Sequence, residues 1–448
     1  MLTQDGITAF QEKNCEFTRP SPDRDFLCRY GRCRIIAQAV VVGGGIVGLM
    51  AAYALSKRGL EVTVLERGEA GMACSYGNAG FICPSLSSPL PAPGLVGQSL
   101  RWMLQAGSPL YIRPASALRL SPWLIGFWSH CNQEDFDRGY DAMLALNSRT
   151  MALWDALAAD GVRHEGYREG LLFAFTDELA LRHELKEFQQ VTAYGMPEPR
   201  VLDRAQVHEE EPNLGERVVG GILLPGEGHV EPRSLSLGLL AKLGDMGVQV
   251  REQVEVHGFE RRTGDVRAVL TDQGPVSCDL VVLAAGVWTK SLAALVGGRL
   301  PLEAGKGYSI TYDKPNLTFR HPIYFAGTKA VLTPFEGAVR IAGTMEFSGE
   351  NLRIARPRVT GLRAAVHRHL REELRGAGEV VWTGMRPMLP DGLPAIGRIG
   401  QVGNVFVSTG HAANGIFMAP TSAEFLADLV VDGGSSIDPR PFDPERFA

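Results

Sequence analysis

The chain has no excess of charge of either sign. Its 45 Lys and Arg stand against 50 Asp and Glu in 448 residues, giving a formal net charge of −5 and no prominent basic run. That argues against nucleic acid as a partner. Long hydrophobic runs are missing too: stretches such as Leu280–Trp288 fall well short of the roughly 20 apolar residues a membrane-spanning helix needs. Cysteine is sparse and irregular, with seven at positions 15, 28, 33, 74, 83, 131 and 278. An odd count without a repeating framework argues against a secreted disulfide scaffold and favours a reducing, cytosolic setting. No second Cys/His pair follows Cys28 and Cys33, so no metal site is expected. Residues 1–38 lack an apolar period and a signal-peptide core, and they mix Pro20, Ser21 and Pro22 with acids such as Asp5, Glu12 and Asp23. They read as a disordered extension outside the fold. The remainder, in a chain 45% hydrophobic and 21% charged, has ample material for the cores of two or three domain-sized units.

The first organised pattern begins at Ala39. A short apolar run, Ala39–Val42, leads into Gly43-Gly44-Gly45-Ile46-Val47-Gly48, a helical pattern continues to Lys57, and Gly59 closes it. Glu61–Leu65 alternates like a second strand and ends at Glu66. This is a βαβ unit with glycines at the strand-to-helix turn. Gly43 permits the tight turn, Gly45 lets the backbone approach a pyrophosphate, and Gly48 lets helix and strand pack closely. The free N–H groups of the helix N-terminus then face the phosphates. Glu66, 18 residues after Gly48, is placed to accept the adenosine ribose hydroxyls. The unit predicts a bound dinucleotide.

Later segments separate FAD from NAD. The stretch after Glu66, from Arg67 through Ser75, Asn78, Ala79 and Gly80, is small and polar, as suits a loop lying along an extended cofactor. Asp279–Ala285 reads as a buried strand ending at Ala285-Gly286, and Asn404–Ser408 as another ending at Gly410-His411. Three separated strand ends, each with glycine, imply a nucleotide domain assembled from distant parts of the chain.

On these blocks, Val40 to Glu66, Ser75–Gly80, Ala284–Gly286 and Gly410–Pro420, the sequence resembles the D-amino-acid oxidase superfamily of flavoenzymes. Tyr76–Gly80, Pro89–Gly94, Lys306–Ile310 and Arg386–Gly392 are similar to the bacterial D-amino-acid dehydrogenase small subunit. Gly228-His229 and Ala342–Phe347 resemble glyphosate oxidoreductase, and Asn414–Pro420 looks like glycine oxidase. The resemblance implies an α/β fold with α+β insertions. A Rossmann-like FAD-binding domain would draw on residues 39–95, 215–300 and 380–448, and a substrate domain on a large mixed β-sheet would occupy 96–214 and 301–379. In agreement, 331–346 alternates like strands, while 141–160 and 177–192 read as amphipathic helices.

Dehydrogenation of an amine at a flavin requires a positioned substrate more than acid–base machinery. Arg386 is the expected carboxylate clamp. It stands in Gly384-Met385-Arg386-Pro387 just before the turn Pro390-Asp391-Gly392, and its planar fork matches a carboxylate with two parallel hydrogen bonds. Superfamily relatives carry a substrate-binding arginine in this motif. Tyr308 is a second substrate-binding candidate, with Lys306 and Tyr324 behind it. His411, Asn414, Gly415 and Ile416 are expected to contact the flavin, the helix N-terminus there favouring negative charge on the reduced ring. No cysteine falls in the C-terminal flavin blocks, so the FAD is expected to be non-covalent. Trp102, Trp123 and Trp128, with Met103, Leu104 and Phe127, are expected to form a buried wall, or else an apolar face toward a membrane, a quinone or a partner subunit.

The resulting expectation is FAD-dependent oxidative deamination of a small amino acid, first of all by a D-amino-acid dehydrogenase passing electrons to a quinone or other acceptor. An oxidase of glycine, sarcosine, a D-proline derivative or an aminophosphonate is the alternative within the superfamily. A non-catalytic flavin-binding subunit would have no need of Arg386. An NAD-dependent dehydrogenase would show one compact nucleotide block.

Overall fold

The run Gln38–Val42 is buried at four of its five positions, as a strand covered on both faces must be. In the computed structural model, which describes residues 37–95, 97 and 110–448, it lies inside a six-stranded sheet. The strand order is Gln249–Arg251, Glu61–Leu65, Gln38–Val42, Leu280–Leu283, Val405–Thr409 and Ala395–Arg398. All neighbours are parallel except the last pair. Val41 and Val282 face Leu49 of the helix Ile46–Lys57 and Met418 of the helix Gly415–Ala427. Val40, Val281 and Leu283 face the opposite way, onto Val266 and Val269 of a small antiparallel sheet.

The second large sheet is mixed and has nine strands. Its order is Gly378–Met388, Glu303–Asp313, Ala338–Phe347, Ala330–Phe335, Ile323–Phe325, Leu171–Phe175, Gly220–Leu224 and Arg200–Leu202, with Leu110–Ile112 also beside Ala338–Phe347. One face is covered by the helix Arg356–His367, whose Leu362 and Val366 pack with Tyr308, Ile310 and Ile341. From this sheet the buried Arg340 reaches the loop after Glu66, donating from Nη1 to the carbonyls of Asn78 at 2.8 Å and Tyr76 at 3.3 Å.

Two strands expected with the FAD segments run in the mixed sheet instead: Gly220–Leu224 and Gly378–Met388. The second pairs residue for residue with Glu303–Asp313 over its whole length, so Arg386 stands on the mixed sheet. The helical stretch expected over 141–160 is two helices, Gln133–Asn147 and Thr150–Ala159. Buried positions continue on both sides of the break, so apolar spacing does not mark it. The helix Glu178–Gln189 is capped by Asp177, whose side chain accepts the N–H groups of Leu179 and Ala180. Within 331–346 the alternation belongs to two antiparallel strands that turn at Gly337, φ +68°.

Residues 1–36, and with them Cys15, Cys28 and Cys33, lie outside the described residues, as do Trp102, Met103 and Leu104. Among the described residues no helix is long and apolar enough to cross a membrane.

Candidate cofactor and substrate site

The glycine turn makes one end of the site. Gly43 has φ +114°, and a Cβ there would fall 2.5 Å from the carbonyl oxygen of Ala284. A Cβ on Gly48 would lie 1.9 Å from the carbonyl oxygen of Gly43. Gly45 differs: the nearest atom to its would-be Cβ is Ser75 Oγ at 3.9 Å, which leaves room for a ligand against the backbone. The N-cap residue Gly45 gives the helix Ile46–Lys57 no capping side chain, and the Ile46 N–H donates to Ser75 Oγ at 3.3 Å. An uncapped helix start next to an open glycine is a phosphate cradle. The Glu66 carboxylate accepts the N–H of Gly44 at 2.7 Å and of Gly68 at 2.8 Å, which holds the acid at the strand end. Beyond it the Arg67 guanidinium lies over the Trp288 ring, 4.6 Å from its centroid.

From this cradle a cavity of about 1270 Å³ extends to the mixed sheet. Small-molecule sites usually enclose about 300–1,000 Å³, so this one has room for a long cofactor together with a small substrate. Gly43, Gly45, Ile46 and Val47 line its first part with Glu66 and Arg67. Ser75, Asn78, Ala79, Ala285 and Gly286 line the middle, and His411, Asn414, Gly415 and Ile416 lie further along with Arg386. Gly48, Gly80 and Gly410 are not in the wall. They serve close backbone packing: Gly80, at φ +77°, would push a Cβ to 2.0 Å from the Val230 carbonyl oxygen, and Gly410, at φ +83°, to 2.5 Å from Leu389.

Arg386 is half-buried in the cavity wall. Its Nη1 donates to the Thr344 carbonyl at 2.8 Å, and no acid pairs with it among the described residues. Burial pulls its pKa down to about 10, so the guanidinium remains charged at neutral pH. A Cβ on Gly307 would fall 2.4 Å from Arg386 Nη2, so that glycine makes the room in which the guanidinium lies. Trp382 is fitted in the same way. Its ring lies where a Cβ on Gly77 or on Gly384 would stand, 2.0 Å from each.

Tyr308 does not share the face of Arg386. Arg386 pairs with Gly305, and alternation puts Gly305, Gly307 and Arg386 on one face of the sheet and the Tyr308 side chain on the other. Although Tyr308 belongs to the cavity wall, its ring is only 1% exposed and sits in the core under the helix Arg356–His367. Its hydroxyl donates to Glu346 Oε2 at 2.6 Å; burial and that carboxylate raise its pKa. Lys306 is engaged with the same acid, Nζ to Glu346 Oε1 at 2.9 Å. His411 shares a hydrogen bond with Ser422 Oγ at 3.0 Å, and burial pulls its pKa down to about 4, so it is neutral.

Several wall residues carried no sequence signal. Val254 and His257 arrive near Arg67 from the far side of the chain, and Trp382 and Thr344 arrive from the mixed sheet.

The sequence profile of the family described as FAD dependent oxidoreductase (DAO) matches residues 38–429. This chain belongs to the DAO family. A D-amino acid dehydrogenase from Xanthobacter autotrophicus is 31% identical over 421 residues, covering 91% of this chain and 99% of that protein. Another from Methylobacterium radiotolerans is 33% identical, covering 87% and 95%. Among solved structures, L-proline dehydrogenase from P. horikoshii superposes with a TM-score of 0.74 at 21% identity, covering 92% of this chain and 97% of that one. Glycine oxidase from Geobacillus kaustophilus gives 0.71 at 22%, covering 91% and 98%. These structures share the DAO fold. As a DAO-family enzyme the chain is an FAD-dependent oxidoreductase, and the residues present fit that cofactor: the uncapped helix start and open Gly45 suit its pyrophosphate, and Glu66 its ribose.

Proposed function

We propose that the enzyme dehydrogenates the Cα–N bond of a small D-amino acid. The observation that carries this reading is Arg386: a charged guanidinium in the cavity wall, without an acidic partner among the described residues and held only through Nη1, by the Thr344 carbonyl and Met345 Sδ among them. A carboxylate supplies the missing counter-charge and accepts two parallel hydrogen bonds. The D-amino acid dehydrogenases that the chain is similar to over nearly their whole length support the choice of substrate.

FAD, when bound, supplies the two-electron acceptor for the hydride from Cα. The substrate nitrogen loses a proton, the product is an imino acid, and water converts it to a 2-oxo acid and ammonia. This chain's residues bind and orient. Arg386 holds the carboxylate, while Trp123, Phe127 and Met345 make the wall apolar nearby. An apolar wall disfavours the ammonium form and so favours the neutral amine that can lose hydride. His411 is neutral, bound to Ser422, and serves to position its turn.

The electron acceptor is proposed to be a quinone or similar apolar carrier. The helix Pro114–Ser129 has Trp123 and Phe127 in the cavity wall and turns Leu118, 87% exposed, and Ile125, 63% exposed, outward. An apolar face of this kind also suits peripheral contact with a membrane.

The test is an anaerobic screen of flavin bleaching against D- and L-amino acids, glycine, sarcosine and D-proline. Bleaching by D-amino acids is expected. Slow reoxidation when air is readmitted identifies a dehydrogenase, and fast reoxidation an oxidase. Bleaching by none of them would overturn the amino-acid reading.

A further inference from the structure

The strand Ala338–Phe347 is irregular beside Arg386. Glu346 pairs with Lys306 and Gly343 with Tyr308, so Thr344 and Met345 together oppose the single residue Gly307. Two residues against one make a β-bulge, a device that re-aims groups next to active sites. Its first residue, Thr344, has φ +58°. Glycine is the usual occupant of that place, and a β-branched residue there is strained. Strain of this kind persists only where surrounding contacts enforce it.

Those contacts are present on both sides of Thr344. Its carbonyl accepts Arg386 Nη1 at 2.8 Å. Its hydroxyl accepts a hydrogen bond from Arg358 Nη2, which also reaches the Met345 carbonyl at 3.4 Å. Arg358 is in the first turn of the helix Arg356–His367, the helix that covers the other face of the sheet. Glycine would relieve the backbone at position 344 but would supply no hydroxyl for Arg358. Gly307, the residue opposite the bulge, vacates the space that the Arg386 guanidinium fills. Bulge and glycine thus form one construction around the guanidinium.

We infer that Thr344 is a positioning residue for Arg386. Anchored by Arg358, it presents its backbone carbonyl to one nitrogen of the guanidinium and leaves the other N–H groups turned to the cavity. This rests on the proposed role of Arg386 as a carboxylate clamp. Without the anchor the bulge has no reason to keep its strained shape, and the guanidinium loses its fixed orientation.

The test uses purified holoenzyme and acetate as the probe, its binding read from the perturbed flavin absorbance. Thr344→Val should weaken acetate by about tenfold, the equivalent of roughly one hydrogen bond to a charged group. The same variant should raise the KM for D-alanine more than it lowers kcat. Thr344→Ser, which keeps the hydroxyl, should bind acetate like the wild type. Thr344→Gly, which keeps the left-handed backbone, should melt no lower than the wild type and still bind acetate more weakly; it stands in if the valine variant does not fold. Adding Thr344→Val to Arg386→Gln should cause no further loss. If Arg386→Gln weakens acetate but Thr344→Val and Thr344→Gly do not, the inference is overturned while the clamp survives. If Arg386→Gln itself has no effect, the clamp reading fails and the positioning role fails with it.

Discussion

Replacing Arg386 by glutamine keeps polarity and much of the shape but removes the charge and the fork. In the structure Nη1 of the guanidinium has two neutral contacts, the Thr344 carbonyl at 2.8 Å and Met345 Sδ at 3.6 Å, and there is no acidic partner among the described residues. A bound carboxylate is therefore its counter-ion, and the substitution leaves that carboxylate in an apolar site without one. Truncating one partner of such a pair costs about 2–5 kcal/mol, or about 30-fold to several thousand-fold in kcat/KM. Arg386→Lys retains the charge but only a single-point contact, so its loss should fall between wild type and glutamine. The assay is kcat/KM for D-alanine against ethylamine, the same amine without the carboxylate. Wild-type enzyme should favour D-alanine strongly, and Arg386→Gln should bring the ratio down by the factor above while FAD content stays at one per chain. Unchanged D-alanine kinetics in a fully loaded glutamine variant would refute the assignment.

Three further outcomes follow from the geometry. Gly48→Ala drives a Cβ to within 1.9 Å of the Gly43 carbonyl, so it should cost about 1–3 kcal/mol as an overpacked contact and appear as a lower Tm and reduced FAD content. Arg340→Met removes the donors that hold the Tyr76 and Asn78 carbonyls. It should destabilise the holoprotein by about 2–4 kcal/mol and speed FAD release, measured by dilution into apoprotein-free buffer and flavin fluorescence. Glu227 is 2% exposed, its Oε1 accepts the Ser85 N–H at 2.9 Å, and burial pushes its carboxyl up to about 7. A folded-state value above the unfolded one means the folded protein holds the proton longer. The group's contribution is thus fully present below about pH 4.5 and is lost as pH rises to about 7, amounting to about 3 kcal/mol. Glu227→Gln should flatten Tm against pH between 5 and 7; an unaltered slope would count against the buried acid.

The first βαβ unit could be read from the sequence because every signal in it is local: a short apolar run, three glycines at fixed offsets and an acid at the end of the next strand. Arg386 was expected as the clamp from its place before the turn Pro390-Asp391-Gly392 and from the arginine that the resembling flavoenzymes carry in this motif, and the structure places it on a strand in the cavity wall. That Tyr308 lies in the core away from Arg386 was not legible, because alternation gives two faces but does not say which is covered, and the helix that covers this one, Arg356–His367, lies about fifty residues on. The allegiance of Gly378–Met388 was hidden for the same reason, since it is decided by pairing with Glu303–Asp313. Thr344 gave no sign at all. A left-handed backbone is signalled by glycine, and here threonine occupies the position through contacts made with two arginines from other elements.

The six-stranded sheet has a consequence for biosynthesis. Its inner strand Gln38–Val42 is made well before its neighbour Leu280–Leu283, and Val405–Thr409 is made later still. At about 5–20 residues per second, the glycine cradle waits tens of seconds for the strands that complete its wall. Non-local pairing of this kind also folds slowly. The flavin therefore meets a finished pocket only once Val405–Thr409 has been made, so nascent chains halted before Val405 should remain colourless and depend on chaperones to keep the first βαβ unit from aggregating.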